Sequence, residues 1–207
     1  MMTQSFYGPY EAYLQNILDD LQHTLETFKQ RHYDATGQKL FEHVYTRLKT
    51  PKSMIEKLTR KQLSLTLEAA LTDIKDAIGI RIICSFIDDI FTLVELFRQS
   101  NDITIVEEKD FITKAKPNGY RSYHLIVKIS TPHPDIYGNM PGDYFVEVQL
   151  RTIAMDTWAS LEHQLKYKRD IQNTQRIEKE LKRCADELAS CDLSLQTIRQ
   201  LILEGGQ

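Results

Sequence analysis

The apolar positions of this chain change period twice. From Tyr10 to Phe28, Leu14, Leu18, Leu21, Leu25 and Phe28 recur at alternating spacings of four and three, which draws one stripe down a helix. The segment Ile177, Leu181, Cys184, Leu188, Cys191, Leu195, Ile198 and Ile202 holds the same alternation without a break, and predicts a second long helix. Between them the period falls to two. Phe41–Lys49, Ile78–Phe86, Ile103–Glu108, Arg121–Ile129 and Asp143–Arg151 each alternate, are rich in β-branched or aromatic residues, and are bounded by turn formers, so five strands are expected. Helical patterns intervene at Lys52–Arg60, at Asp88–Gln99 and at Ala154–Lys168. The pattern predicts a single α/β (α+β) domain over residues 1–207. It consists of a mixed five-stranded sheet with helices over about 41–168, an N-terminal helix at 10–30 and a C-terminal helix at 171–204. Either terminal stripe can pack on its own core or on a second copy of the chain, and the regularity of the C-terminal one points to a homo-oligomer.

Polar residues on strand faces that should be core carry the chemistry. In Asp143–Arg151 the apolar Tyr144, Val146, Val148 and Leu150 face one way, and Glu147, Gln149 and Arg151 the other. Tyr45, Arg47 and Lys49 alternate against Val44, Thr46 and Leu48. Arg81 shares its side with Gly79 and Ile83, and Ser122 lies on the side of His124. One solvated strand face is ordinary; cations on several strands with a carboxylate among them predict a cleft for polyanions. In TPKSMIEKL, Thr50 is a helix cap and Pro51 suits the first turn, so free N–H groups, Ser53 and Lys57 form a candidate phosphate cradle without a glycine-rich Walker sequence. In KAKPNGYRSYH, the Pro117–Asn118–Gly119 turn is expected to present Tyr120 outward. Lys114, Lys116, Arg121 and His124 surround it, an arrangement that stacks a base and holds its phosphates. A packed tyrosine on a basic-rimmed hairpin is the structural alternative.

Charge and composition narrow the classes. With 207 residues, 42% hydrophobic and 27% charged, the chain can bury one sizeable core. A net charge of −3 argues against broad adhesion to DNA or a membrane surface. No run approaches the ~18 apolar residues of a membrane span and the N-terminus has no signal-peptide pattern, so a cytoplasmic protein is expected. Cys84, Cys184 and Cys191 lack metal-ligand spacing and sit in apolar patterns, where a thiol acts as a small hydrophobe.

Four strings in order, RLKTPKSMIEKL, IKDAIGIRI, KPNGYRSYHLIV and EVQLRTIAMDTWASLEHQLKYK, resemble the synthetase domain of RelA/SpoT-type (p)ppGpp synthetases. The likeness covers about Tyr45 to Lys168 and is greatest to the short, single-domain small alarmone synthetases. It implies a nucleotidyltransferase-like synthetase fold and a GTP/GDP pyrophosphokinase. Such an enzyme transfers the β,γ-pyrophosphate of ATP to the 3′-hydroxyl of GDP or GTP and releases AMP in the stringent response. Arg47 and Arg81 would then sandwich adenine, and Lys49, Ser53 and Lys57 would hold the ATP phosphates. Asp76 and Glu147 would bind Mg2+, and Glu147 would also accept the proton of the attacking hydroxyl. Lys116, Asn118, Tyr120, Arg121 and His124 would bind GDP or GTP, with Tyr120 stacked on guanine and Gln149 orienting the acceptor.

The family's Asp-Ile-Ala-Gly reads Asp76-Ala77-Ile78-Gly79 here, which exchanges two apolar neighbours and keeps the spacing to Arg81. The His-Asp hydrolase domain of long family members has no counterpart, so synthesis without degradation is expected. The resemblance also implies a homotetramer. The alternatives are a non-catalytic nucleotide or single-stranded RNA-binding module and an AMP-transferring nucleotidyltransferase. An RNA binder gains nothing from Asp76 and Glu147 in its groove, so RNA is an unsupported partner.

Overall fold

The computed structural model describes residues 6–166 and 174–205. The N-terminal stripe forms α1 (Tyr10–Thr36), which buries Leu14, Ile17, Leu18, Leu21, Leu25 and Phe28. The helix outruns its apolar stripe by two turns and stops where Gly37 adopts a left-handed φ of 69°, its N–H closing on the Tyr33 carbonyl.

The five expected strands are β1 (His43–Leu48), β2 (Ile78–Cys84), β3 (Ile103–Asp110), β4 (Tyr123–Thr131) and β5 (Gly142–Thr152). They form one sheet in the order β1-β2-β5-β4-β3. The β2–β5 pair is parallel and the other pairs are antiparallel, which makes the sheet mixed. The first strand is shorter than its pattern because Leu40 and Phe41 are drawn into the core. Between the strands lie α2 (Pro51–Arg60), α3 (Leu67–Thr72) and α4 (Ile87–Gln99). Six-residue α3 is too short to show a helical period, and the sequence reading did not anticipate it. On one face of the sheet Ile80, Ile82, Val146, Val148, Leu125 and Val127 join the α1 stripe and Ile90, Leu93, Val94 and Phe97 of α4 in the main core.

After β5 the chain enters α5 (Ile153–Lys166), and α6 (Thr174–Gly205) returns over it. The expected end of the first helix at Lys168 and start of the second at residue 171 lie outside the described residues. The α6 stripe divides. Leu181 and Leu188 pack on Trp158, Ala159 and Ala185, whereas Leu195, Ile198 and Ile202 are 44%, 52% and 68% exposed. Cys184 and Cys191 are also exposed, although both lie in the apolar stripe; Cys84 is buried. They fall between the self-packed face and the polar one, a distinction that a stripe two positions wide cannot resolve.

Candidate active site

Strand register assembles the polar face. Paired residues in adjacent strands present side chains to the same side of a sheet. Tyr45 pairs with Arg81, Arg81 with Gln149, Gln149 with His124 and His124 with Lys109; one step along, Arg47 pairs with Gly79 and Gly79 with Glu147. Residues up to a hundred positions apart thus form two rows across the sheet. Gly79 leaves a gap in the second row, and the Arg47 side chain lies over it, its Nε 3.3 Å from where a Cβ would stand. A cleft of about 190 Å³ opens there, lined by Tyr45, Arg47, Gly79, Arg81, Glu147 and Gln149 among others.

Glu147 stands between two environments. On the cleft side its Oε2 is 3.9 Å from Arg47 Nη2 and accepts a 3.0 Å hydrogen bond from Gln149 Nε2. On the other side its Oε1 is 3.9 Å from His124 Nδ1. His124 is half-buried among cations, and desolvation together with the charges of Arg151, Lys116, Lys109 and Arg81 pushes its pKa down to about 3. It is therefore a neutral imidazole at physiological pH, able to hydrogen-bond a phosphate but not to neutralise it.

Asp76 sits just before β2 at the mouth of α2. Thr50 caps that helix, its Oγ1 accepting from the Ser53 N–H at 3.3 Å, with Pro51 in the first turn. Lys57 on α2 donates to Asp76 Oδ2 at 2.5 Å, and Lys49 approaches the same oxygen at 3.1 Å. Burial would raise the Asp76 pKa, but the Lys57 hydrogen bond and the two ammonium charges hold it below the usual carboxylate range. The other oxygen, Oδ1, is buried with no hydrogen-bond partner. A buried, ionised oxygen of this kind suits a hard cation. Among the described residues no group of three or more His, Cys, Asp or Glu side chains is placed to hold a metal alone. Two carboxylates would therefore need phosphate oxygens and water to complete a shell.

The loop that carries Tyr120 differs from its expected pose. Tyr120 points inward and is half-buried, the outcome that the sequence alternative described. Its hydroxyl lies 2.8 Å from His124 Nε2 and accepts from Arg151 Nη2 at 2.9 Å. Phe111 and Trp158 meet its ring at 6.0 and 6.3 Å, and Lys116 Nζ lies 4.8 Å from its centroid. Asn118 holds the turn with its side chain, accepting from the Tyr120 N–H at 3.2 Å and donating to Glu162 at 3.1 Å. Arg121 does not join this wall. Strand-like alternation sends it to the opposite side, where its Nη2 lies 3.6 Å from Asp186 on α6.

Arg47, Arg81, Glu147, Gln149 and His124 thus share one face, with Lys116 and Tyr120 at one end. Lys49 and Lys57 converge on Asp76, and Ser53 is exposed at the start of α2. Arg151 and Asp156 were not singled out as site residues. Arg151 is 5% exposed and donates to Asp156 at 2.8 Å, to Tyr120 and to Gln149. Asp156, in the first turn of α5, also pairs with Arg81 at 3.4 Å. The available signal was that Arg151 shares a strand face with Glu147 and Gln149.

A polar sheet face carrying two arginines, paired lysines and two carboxylates, with an aromatic wall at one end, has the make-up of a phosphoryl-transfer site for two nucleotides. A sequence model described as the region found in RelA / SpoT proteins matches residues 46–172, and the chain belongs to that family. Two Bacillus subtilis (strain 168) relatives are similar to it. GTP pyrophosphokinase YwaC is 40% identical over 82% of this chain and 79% of its own length, and GTP pyrophosphokinase YjbM is 34% identical over 79% and 74%. The crystal structure of small alarmone synthetase 1 from Bacillus subtilis bound to its product pppGpp superposes with a TM-score of 0.79, at 30% identity over 93% of this chain and 97% of that one.

Proposed function

We propose that this protein is a GTP pyrophosphokinase that moves the β,γ-pyrophosphate of ATP to the 3′-hydroxyl of GDP or GTP, giving ppGpp or pppGpp and AMP. The observation that carries the reading is the position of Glu147, between the arginine-lined cleft and the Tyr120–His124 wall. A carboxylate there reaches the junction of two bound nucleotides.

In this reading Arg47 and Arg81 clamp adenine in the cleft with their planar guanidinium faces. Ser53 and the N–H groups at the start of α2 receive the ATP phosphates, and Lys49 and Lys57 turn from Asp76 toward them. Lys116 and Tyr120 hold the acceptor, Lys116 moving from the ring face so that guanine stacks there, while Asn118 keeps the turn in shape. Neutral His124 hydrogen-bonds the acceptor's phosphates. Arg121 acts from behind the loop. The 3′-oxygen attacks the β-phosphorus in line, the bond from that phosphorus to the α-phosphate's bridging oxygen breaks, and AMP leaves. Glu147 takes the hydroxyl proton, and Gln149 fixes its carboxylate.

Asp76 and Glu147 are the residues that would hold Mg2+, whose chemistry would be to neutralise charge on the transferring phosphates. Positioning can supply roughly 7–11 kcal/mol of such a barrier, which fits a site of many cations and few proton carriers.

No helix among the described residues is long and apolar enough to cross a membrane, and a cytoplasmic enzyme is proposed. The exposed end of the α6 stripe supports self-association, with the homotetramer of the resembled family as the proposed state. Incubation with GDP and ATP labelled at the γ position tests the reaction. Labelled guanosine product with equimolar AMP is expected. Labelled free pyrophosphate, or binding without turnover, would overturn it.

A further inference from the structure

The loop that carries Tyr120 is shaped from behind by α6. Gly119 has φ 92°, a conformation that L side chains rarely adopt, and a Cβ built on it would stand 2.5 Å from the Ala185 Cβ. The loop and the helix therefore touch at two small residues, and Ala185 is 4% exposed. Two residues after Gly119, Arg121 turns to the same helix and reaches Asp186, its Nε buried without a hydrogen-bond partner. Two further ties fix α6 against the end of β5 and against α5. Thr152, adjacent to Arg151, donates to buried Asp192 at 2.6 Å, and the Trp158 indole N–H donates to the Leu181 carbonyl at 2.7 Å. Trp158 also contacts the Tyr120 ring.

None of these residues lines the cleft of Arg47, Arg81 and Glu147. A displacement of α6 at residue 185 would reach Tyr120 through the close approach of Gly119 to the Ala185 methyl, while Arg47 and Arg81 stand on strands β1 and β2. Resting on the two-nucleotide reading above, we infer that Ala185 and Asp186 of α6 are positioning residues of the acceptor site: they act through Gly119 and Arg121 to set the pose of Tyr120.

The test uses the full chain with Ala185→Leu, Asp186→Lys, Arg121→Glu and the double variant Arg121→Glu/Asp186→Lys. Steady-state kinetics with GDP varied are combined with titration of α,β-methylene ATP. Ala185→Leu is expected to raise the KM for GDP at least tenfold while the ATP-analogue affinity stays within twofold. The Arg121–Asp186 pair is half-exposed and Asp186 is shared with Lys182, so Asp186→Lys should raise the same KM about three- to fivefold. The double variant should recover most of that loss, because the pair is restored with its charges exchanged. A GDP KM unchanged in both α6 variants overturns the inference, as does an equal loss for donor and acceptor, which marks a merely structural role. If Ala185→Leu fails to fold, the charge exchange decides alone, and absence of rescue overturns the inference. Wild-type protein that makes no guanosine product overturns the function itself; active wild-type with unmoved GDP KM in the variants overturns only the role of α6.

Discussion

Glu147 and His124 face each other at 3.9 Å with opposite electrostatic histories, one carboxylate kept near a guanidinium and one imidazole kept neutral by its cationic surroundings. The consequence for pH follows from linkage. Unfolded His124 binds a proton near pH 6.5, whereas folded His124 resists until about pH 3. Between these values the unfolded state holds more protons, so stability falls as pH drops below about 6.5 and nothing is lost above it. From pH 7.5 to pH 5 this one group should cost up to about 2 kcal/mol. Urea unfolding of wild type and His124→Gln at both pH values checks this: the wild type should lose more, and equal losses would show His124 to be protonated in the fold. Arg151 allows a second prediction. Lysine keeps the charge but cannot fork to Asp156, Tyr120 and Gln149 together, so Arg151→Lys should raise the acceptor KM roughly tenfold, about 1.4 kcal/mol, and move the donor KM less. The strand alternation made Arg47, Arg81, Glu147 and Gln149 legible. It did not show that Arg151 is buried or that Tyr120 turns inward, because Tyr120 is packed by Trp158, 38 residues further on, and Arg151 is held by Asp156 on a helix whose placement the alternation does not encode.

At the scale of elements, the strands and long helices were readable because each is long enough for its period to repeat. Their edges were less so: α1 runs on to Thr36 on polar residues until Gly37 ends it, and six-residue α3 left no period to read. The start of α2 was readable from Thr50 and Pro51 alone, and the proposed phosphate cradle lies there. Removing the cap with Thr50→Ala should cost about 1 kcal/mol in thermal or urea unfolding. It should also raise the ATP KM severalfold, because Ser53 and Lys57 are carried by that helix; a loss of stability with an unchanged ATP KM would separate the cap from the phosphate cradle.

For the whole molecule, two contrasts matter. The main sheet face is closed by α1 and α4, and the other is left polar and open, a division written into the alternation of five strands and fixed by their register. The order β1-β2-β5-β4-β3, which sets β5 between β2 and β4, was not in the pattern, since pairing partners separated by some seventy residues leave no local trace. The second contrast lies within α6, which packs on its own domain through Ala185, Asp192 and Gln196 and yet exposes Leu195, Ile198 and Ile202 along its C-terminal half. Leu188 is on the self-packed side, so the informative change is Ile198→Asp/Ile202→Asp. It should reduce the particle mass by light scattering to that of a single chain and leave the fold intact by circular dichroism; an unchanged mass would remove this face from the subunit contact. In the proposed reaction donor and acceptor meet at the Glu147 carboxylate, so the decisive experiment is the rate of AMP release by Glu147→Gln measured alongside its affinity for α,β-methylene ATP. Loss of a positioned proton acceptor predicts a fall of about 10²–10⁴-fold in turnover with the analogue bound within a few-fold of wild type, whereas near-wild-type turnover would show that Glu147 does not take the proton.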